Sequence, residues 1–260
     1  MNNKNILLEE IKYKNILTLT LNNSEKRNPL SIELIDKIQS TLNNLKKNKI
    51  IKVLIIKSTG PTFCSGHNLK EISAYSNSRK RLLEIFRKCS KMMLDIRKIP
   101  QPVIACVDGI AAAAGCQLVA SCDLAFSSPQ SYFQTPGVNI GLFCSTPMVA
   151  ISRKVAAKDI MYMLVTGEKI TAKEAKDFRL INKIINRKIL NTSVLKLAKN
   201  ISEKSSQSIK IGKEAFYNQL ELSNKKAYDY TSEVMTKNME AKDAKEGVAA
   251  FLEKRTPKWT

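Results

Sequence analysis

A chain of 260 residues can bury one large core, or one core with a smaller appendage, and its 43% hydrophobic and 25% charged residues are ordinary for a globular protein. Its net charge of +20 is not ordinary, yet the basic residues are spread without a dense arginine block and aromatics make up only 6%, which favours a compositional bias over polyanion binding. No stretch reaches the roughly 18 apolar residues of a membrane span, residues 1–10 carry no apolar signal core, and the cysteines at 64, 89, 106, 116, 122 and 144 form neither a CxxC pair nor a cluster with histidine. The expectations are therefore reduced, buried thiols, no structural metal, and a cytoplasmic protein, or a mitochondrial matrix protein after loss of a transit peptide.

Residues 6–21 alternate as two strands joined by a turn at Lys14-Asn15, and the NNSEKRNP segment at 22–29 reads as a loop. Ser31 is placed to cap a helix carrying Ile32, Leu34, Ile35, Ile38, Leu42 and Leu45 at helical spacing. KVLIIKS at 52–58 suits a buried parallel strand, which completes a βαβ unit. In TGPTFCSGHNLKEI at 59–72, Gly66 and His67, the sole histidine, fall in a loop beyond the strand's C-terminal end, where α/β sheets present ligands. A basic helix is expected over 79–98, with Met92 and Met93 as core filler, and IPQP at 99–102 ends it.

The stretch from Pro102 to Pro147 is the centre of the chain. It reads as a strand at 103–107, a turn at Asp108-Gly109, a run of alanines, and a helix entering near Gly115. Four successive alanines supply little apolar area, so their small size points to close approach by another group. The first amides of a helix lack intrahelical partners and carry partial positive charge, so a polarised oxygen can bind there. A strand at 123–127 follows, so the loops at 66 and 115 would share one sheet edge and present two N–H groups to one oxygen. Beyond the QTPGVNIGLFCSTP loop, helices are expected at 147–165 and at 171–178, the latter capped by Thr171, then an extended piece at 180–185. From Lys188 onwards the pattern is helical and charged.

Together, FCSGHNLKEI at 63–72, PVIACVDGIAAAAGCQLVASCDL at 102–124, FQTPGVNIGL at 133–142, LVTGEKITAKEAKDFRLINKII at 164–185 and FLEKRTPKW at 251–259 resemble the crotonase superfamily of enoyl-CoA hydratases and isomerases. That resemblance covers essentially the whole chain. It implies an α/β fold, a crotonase-like spiral of repeated ββα units over 1–190, with a C-terminal helical oligomerisation region over 191–260 that forms trimers or dimers of trimers. It further implies an acyl-CoA substrate, with coenzyme A as part of the substrate and no other cofactor, and an oxyanion hole made by the backbone N–H groups of His67 and Ala114, flanked by Gly66 and Gly115. Such donors stabilise the enolate oxygen of a thioester.

The resemblance departs at the acids. Where family hydratases place two glutamates, this chain has Gln117 and Gly137. Gln117 can orient a water or substrate but cannot take its proton. Lys70 and the Lys254-Arg255 pair are candidates for the coenzyme A phosphates, and Phe143 and Cys144 for the acyl-facing loop. Cys144 or Ser145 could be the nucleophile of a thioester hydrolase, though neither has an adjacent base in sequence. Asp123 is expected to pair structurally and Glu71 to be a solvated helix residue. The imidazole of His67 is a candidate base, and the helix at 79–98 a candidate RNA surface without a stacking platform. Three functions remain open: an acyl-CoA enzyme, a catalytically weak acyl-CoA binder, and a polyanion binder.

Overall fold

The structure is a computed structural model that describes residues 5–260. Strands β1 (Leu7–Lys12) and β2 (Ile16–Leu21) form a hairpin whose turn residues Tyr13 and Lys14 both have positive φ, one residue earlier than the sequence places it. Helix α1 (Ile32–Leu45) is capped by Ser31, whose Oγ accepts from Leu34 N, and it buries all its expected apolar positions except Ile32. Then come β3 (Val53–Ser58), β4 (Thr62–Cys64), α2 (Leu69–Ala74), α3 (Arg79–Lys98), β5 (Val103–Val107), β6 (Ile110–Ala112), α4 (Ala114–Ser121), β7 (Leu124–Ser127) and β8 (Tyr132–Gln134). The remainder is α5 (Ser145–Ile151), α6 (Ala157–Thr166), β9 (Ile170–Thr171), α7 (Ala172–Asp177), β10 (Lys183–Ile184), α8 (Leu190–Ser202), α9 (Ser206–Gln219), α10 (Asn224–Glu240) and α11 (Lys242–Leu252).

Six strands form one sheet in the order β1-β2-β3-β5-β7-β10, with β1 antiparallel to β2 and the other pairs parallel. The sequence does not reveal the second sheet, β4-β6-β8-β9. Its three-residue strands at 62–64, 110–112 and 132–134 carry no run long enough to announce a strand, and only stacking of successive turns creates their pairing. Ile110 pairs with Thr62 on one side and Tyr132 on the other, so three consecutive strand–short strand–helix units lie in register. This is the expected spiral of ββα units.

The helix expected over 147–165 is two helices, α5 and α6, separated by a turn. No glycine or proline breaks it. Helix α5 packs on α4, whereas α6 packs on the 3-10 turn at Pro136–Ile140, and one straight helix cannot serve both. Thr171 caps α7 with a reciprocal capping box to Glu174. Helix α8 covers the outer face of the large sheet, where Leu190, Val194 and Ala198 pack with Ile16, Val53, Ile55 and Ile104. Helices α9 to α11 pack on one another beyond it and leave Tyr228, Met235, Phe251 and Leu252 exposed.

Candidate functional site

The loops after β4 and β6 meet backbone to backbone. A Cβ added at Gly115 would lie 2.1 Å from the carbonyl oxygen of Cys64, so only glycine allows α4 to begin this close to β4. A Cβ added at Gly66, which has φ +94°, would lie 3.3 Å from the amide nitrogen of Ala114. The loop at 66 is pinned from behind by the segment before α1: Leu30 N donates to Gly66 O at 2.8 Å, Asn68 N to Leu30 O at 3.3 Å, and Ser65 N to Arg27 O at 3.1 Å. Its pivot is Asn28, fully buried with φ 50°, whose Nδ2 donates to Thr59 O at 2.8 Å and Thr62 O at 2.7 Å. In the sequence Asn28 stands unmarked inside a polar loop. An asparagine's tolerance of positive φ was the available signal.

The alanine run divides between three conformations. Ala111 and Ala112 are in β6, Ala113 has φ 48° and ψ −116°, and Ala114 opens α4. A backbone donor survives a glycine-to-alanine change when φ/ψ stays allowed, but Ala113 lies outside the left-handed well open to L-residues, so the turn is strained. That turn immediately precedes the Ala114 amide. Ala113 is held there by its own N–H donating to Gln134 O at 2.9 Å and its carbonyl accepting from Gln117 N at 3.0 Å. Among the described residues, neither the His67 nor the Ala114 N–H has an acceptor.

Gln117 is 3% exposed and its Oε1 has no donor. The hydroxyl of Thr135 is also buried without a partner, one residue past Gln134; it was not among the sequence candidates. Gly137 is closely surrounded. A Cβ there would meet Leu142 O at 2.9 Å and Cys144 Sγ at 3.1 Å, because the loop folds back with Leu142 N donating to Gly137 O at 2.9 Å.

His67 meets Phe86 of α3 edge-on, with ring centroids 5.4 Å apart, and both ring nitrogens are buried without partners. Burial pulls its pKa down to about 4, so the ring is neutral. Phe86 also borders an open groove of about 430 Å³ with Leu82, Leu83 and Arg79. Cys144 is 7% exposed and burial raises its pKa; burial likewise raises that of Cys116. Neither is a ready thiolate. The acids that follow the two loops in sequence are committed: Glu71 Oε2 accepts from Ile32 N at 2.9 Å, and Asp123 accepts from Val103 N and Tyr217 OH, each at 2.7 Å, and pairs with Lys213 at 2.6 Å. Asp123 is thus structural, as expected, while Glu71 ties α2 to α1 rather than standing free.

The structure brings together Gly66, His67, Ala114 and Gly115, with Gln117 on the first turns of α4. Cys144 packs against Gly137 on the following loop. Lys70 is exposed on α2, and Phe143 is 45% exposed. Lys254 lies beyond α11, which packs on α9 and α10 rather than on α2 or α4.

A spiral of ββα units whose successive turns stack in register defines an α/β protein of the crotonase fold. The chain belongs to the enoyl-CoA hydratase/isomerase family, whose model matches residues 11–260. It is 45% identical over 245 residues to the human mitochondrial enoyl-CoA hydratase domain-containing protein 3, covering 94% of this chain and 80% of that one. The crystal structure of that human protein superposes with a TM-score of 0.94, at 43% identity and over 98% of this chain and 100% of that one. A crystal structure of an enoyl-CoA hydratase from Mycobacterium smegmatis superposes with a TM-score of 0.95, at 40% identity over 98% of each chain. No helix among the described residues is long and apolar enough to cross a membrane.

Proposed function

We propose that the protein binds an acyl-CoA and holds its thioester oxygen between the N–H groups of His67 and Ala114, lowering the energy of the enolate. The observation that carries this reading is the pair of acceptor-free amides held together by the Gly66 and Gly115 contacts. Preorganised donors of this kind contribute on the order of 10²- to 10³-fold each when they meet developing charge in a water-poor site. Gln117, with its Oε1 unpartnered in the buried wall, orients the substrate or a water.

Proton transfer is the weak part of the site. Gln117 and Gly137 offer no carboxylate, burial leaves the neutral His67 ring a weak base with a pKa of about 4, and Glu71 and Asp123 are engaged elsewhere. A positioned acid or base is worth roughly 10²- to 10⁴-fold, so ordinary enoyl-CoA hydration is slow here, and the activity rests on charge stabilisation. The unpartnered Gln117 oxygen also favours a second reading, a catalytically weak acyl-CoA binder. A thioester hydrolase is less well supported, because burial keeps the Cys144 thiol protonated. The exposed apolar residues of α10 and α11 support a trimer or dimer of trimers, and the mitochondrial relatives support the matrix as its location.

The test is titration with crotonyl-CoA, followed by calorimetry and by loss of the enoyl absorbance. Saturable binding is expected, and its absence would sink the acyl-CoA reading. Turnover that falls sharply in Gln117→Ala selects the enzyme. Turnover no better than in that variant selects the binder.

A further inference from the structure

The parallel strands of the large sheet have a second end, where Lys52 leads into β3 and Gln101 and Pro102 into β5. There a cleft of about 970 Å³ opens between the α1–β3 loop and the first turns of α9 and α11. Six lysines line it: Lys46, Lys47, Lys49 and Lys52 from the loop, Lys210 from α9 and Lys242 from α11. Among the described lining side chains Glu240 is the single acid. Lys46 pairs with Asp95 at 2.9 Å, and Lys52 is within electrostatic range of the buried Asp243. Lys47, Lys49, Lys210 and Lys242 have no ion-pair partner among the described residues.

Two further features distinguish this cleft from a solvated basic surface. Helices α9 and α11 both begin at it, through Ser206 and Gln207 and through Ala241 and Lys242, and α11 has no side-chain cap. Helix N-termini of this length add partial positive charge and N–H donors, although Ser205 Oγ already accepts from Ser208 N at α9 and Asp243 lies in the first turn of α11. The floor, moreover, holds an orphaned polar group. Gln101 is 3% exposed, and its Nε2 donates to Leu45 O at 2.9 Å and to Asn48 O and Ile51 O at 3.2 Å each. Three carbonyls fix which end of the amide is which, and Oε1 is left buried with no donor, as is the hydroxyl of Ser206.

The same contacts make the lysine loop rigid, since Asn48 Oδ1 also accepts from Ile50 N and Ile51 N at 2.8 Å. Preorganised cations lose less conformational entropy on binding an anion than free ones do. The walls carry Pro100, Ile51, Ile201 and Ile209, but no aromatic side chain on which successive bases could stack. The volume of this half-open cleft is in the range of small-ligand sites, roughly 300–1,000 Å³.

We propose that this cleft binds a small ligand carrying two or more linked phosphates, at a site separate from the acyl-CoA site. Lys47, Lys49, Lys210 and Lys242 hold the phosphates with the α9 and α11 amides. The apolar walls and Gln101 Oε1 take the uncharged part of the ligand, the latter from a hydroxyl or amino donor.

The test is calorimetric titration of the full chain with ATP and with inorganic tripolyphosphate, each at about 150 mM salt, where screening removes weak surface attraction. Saturable binding of either is expected, with affinity reduced at least about 10-fold in the double variant Lys49→Glu/Lys210→Glu, whose melting temperature and acyl-CoA affinity stay those of the parent. Preference for ATP assigns the apolar walls to a nucleoside, and equal affinity assigns the site to free polyphosphate; both support the proposal. It is overturned if neither ligand binds, if the double variant binds unchanged, or if coenzyme A competes with ATP. Single-stranded RNA binding that is lost in the double variant, with no binding of ATP or tripolyphosphate, overturns it in favour of a nucleic-acid surface.

Discussion

Replacing Gly115 by alanine puts a Cβ 2.1 Å from the Cys64 carbonyl oxygen, 2.8 Å from its carbon and 2.9 Å from its Cβ, where ordinary contacts fall at 3.4–4 Å. Two of the three obstructing atoms are backbone, and Cys64, Ala114 and Cys116 are completely buried, so no flexible side chain can swing aside. The start of α4 and the end of β4 must therefore separate by about 1 Å, at a cost of about 2–4 kcal/mol for overpacking of this kind. For a chain of this size that corresponds to roughly 5–15 °C in melting temperature. Because the two amides proposed to hold the thioester lie on these two segments, the same displacement weakens their joint grip by on the order of 100-fold. Circular dichroism melting and acyl-CoA titration read the two effects. Gly212→Ala is the control: it sits inside α9 with nothing within 4 Å of the added Cβ, and it gains about 0.5–1 kcal/mol of helix propensity. A Gly115→Ala protein that melts within about 2 °C of the parent and keeps its acyl-CoA affinity would refute the close-approach argument.

Ala113→Gly relieves the strained turn and should raise stability by about 1 kcal/mol, against the entropy that glycine adds to the unfolded chain; a lower melting temperature would show the turn to be unstrained. His67 takes up a proton near the ordinary 6.5 when unfolded and only near 4 when folded, so its contribution is intact above about 6.5 and is lost as the pH falls. Over that window acid should remove about 3 kcal/mol of stability, at about 1.4 kcal/mol per pH unit, and His67→Asn should flatten this part of the curve in denaturant titrations. Gln117→Glu introduces a buried carboxylate whose pKa is raised by desolvation. It should speed crotonyl-CoA hydration by at least about 10-fold, with a rate that rises with pH, and an unchanged rate would show that Gln117 does not face the substrate. Gly137→Glu should not complete the pair, because its Cβ already meets Leu142 O at 2.9 Å; its melting curve should fall while hydration stays unimproved.

Much of the framework was legible because it depends on local pattern. Apolar periodicity placed α1, the runs at 52–58 and 103–107 placed β3 and β5, and Thr171 announced the cap of α7. The short strands β4, β6 and β8 were not legible, since three residues carry no periodicity and pair only when successive turns of the spiral stack. The break between α5 and α6 was hidden for a similar reason: the turn answers to two packing partners rather than to a glycine or proline.

The candidate site divides the same way. Residue identities by themselves determined that glycines flank His67 and Ala114 and that positions 117 and 137 carry glutamine and glycine rather than carboxylates, because side-chain chemistry is fixed by the sequence. Only the tertiary structure decided that Gly115 lies against Cys64, that Ala113 is forced to φ 48°, that Asn28 anchors the first loop, and that Glu71 and Asp123 are engaged elsewhere. It also gathered lysines from residues 46–52, 210 and 242 around one cleft. Distances, burial and hydrogen-bond partners depend on segments far apart in the chain, and the physical effect of a residue depends on them as much as on its side chain.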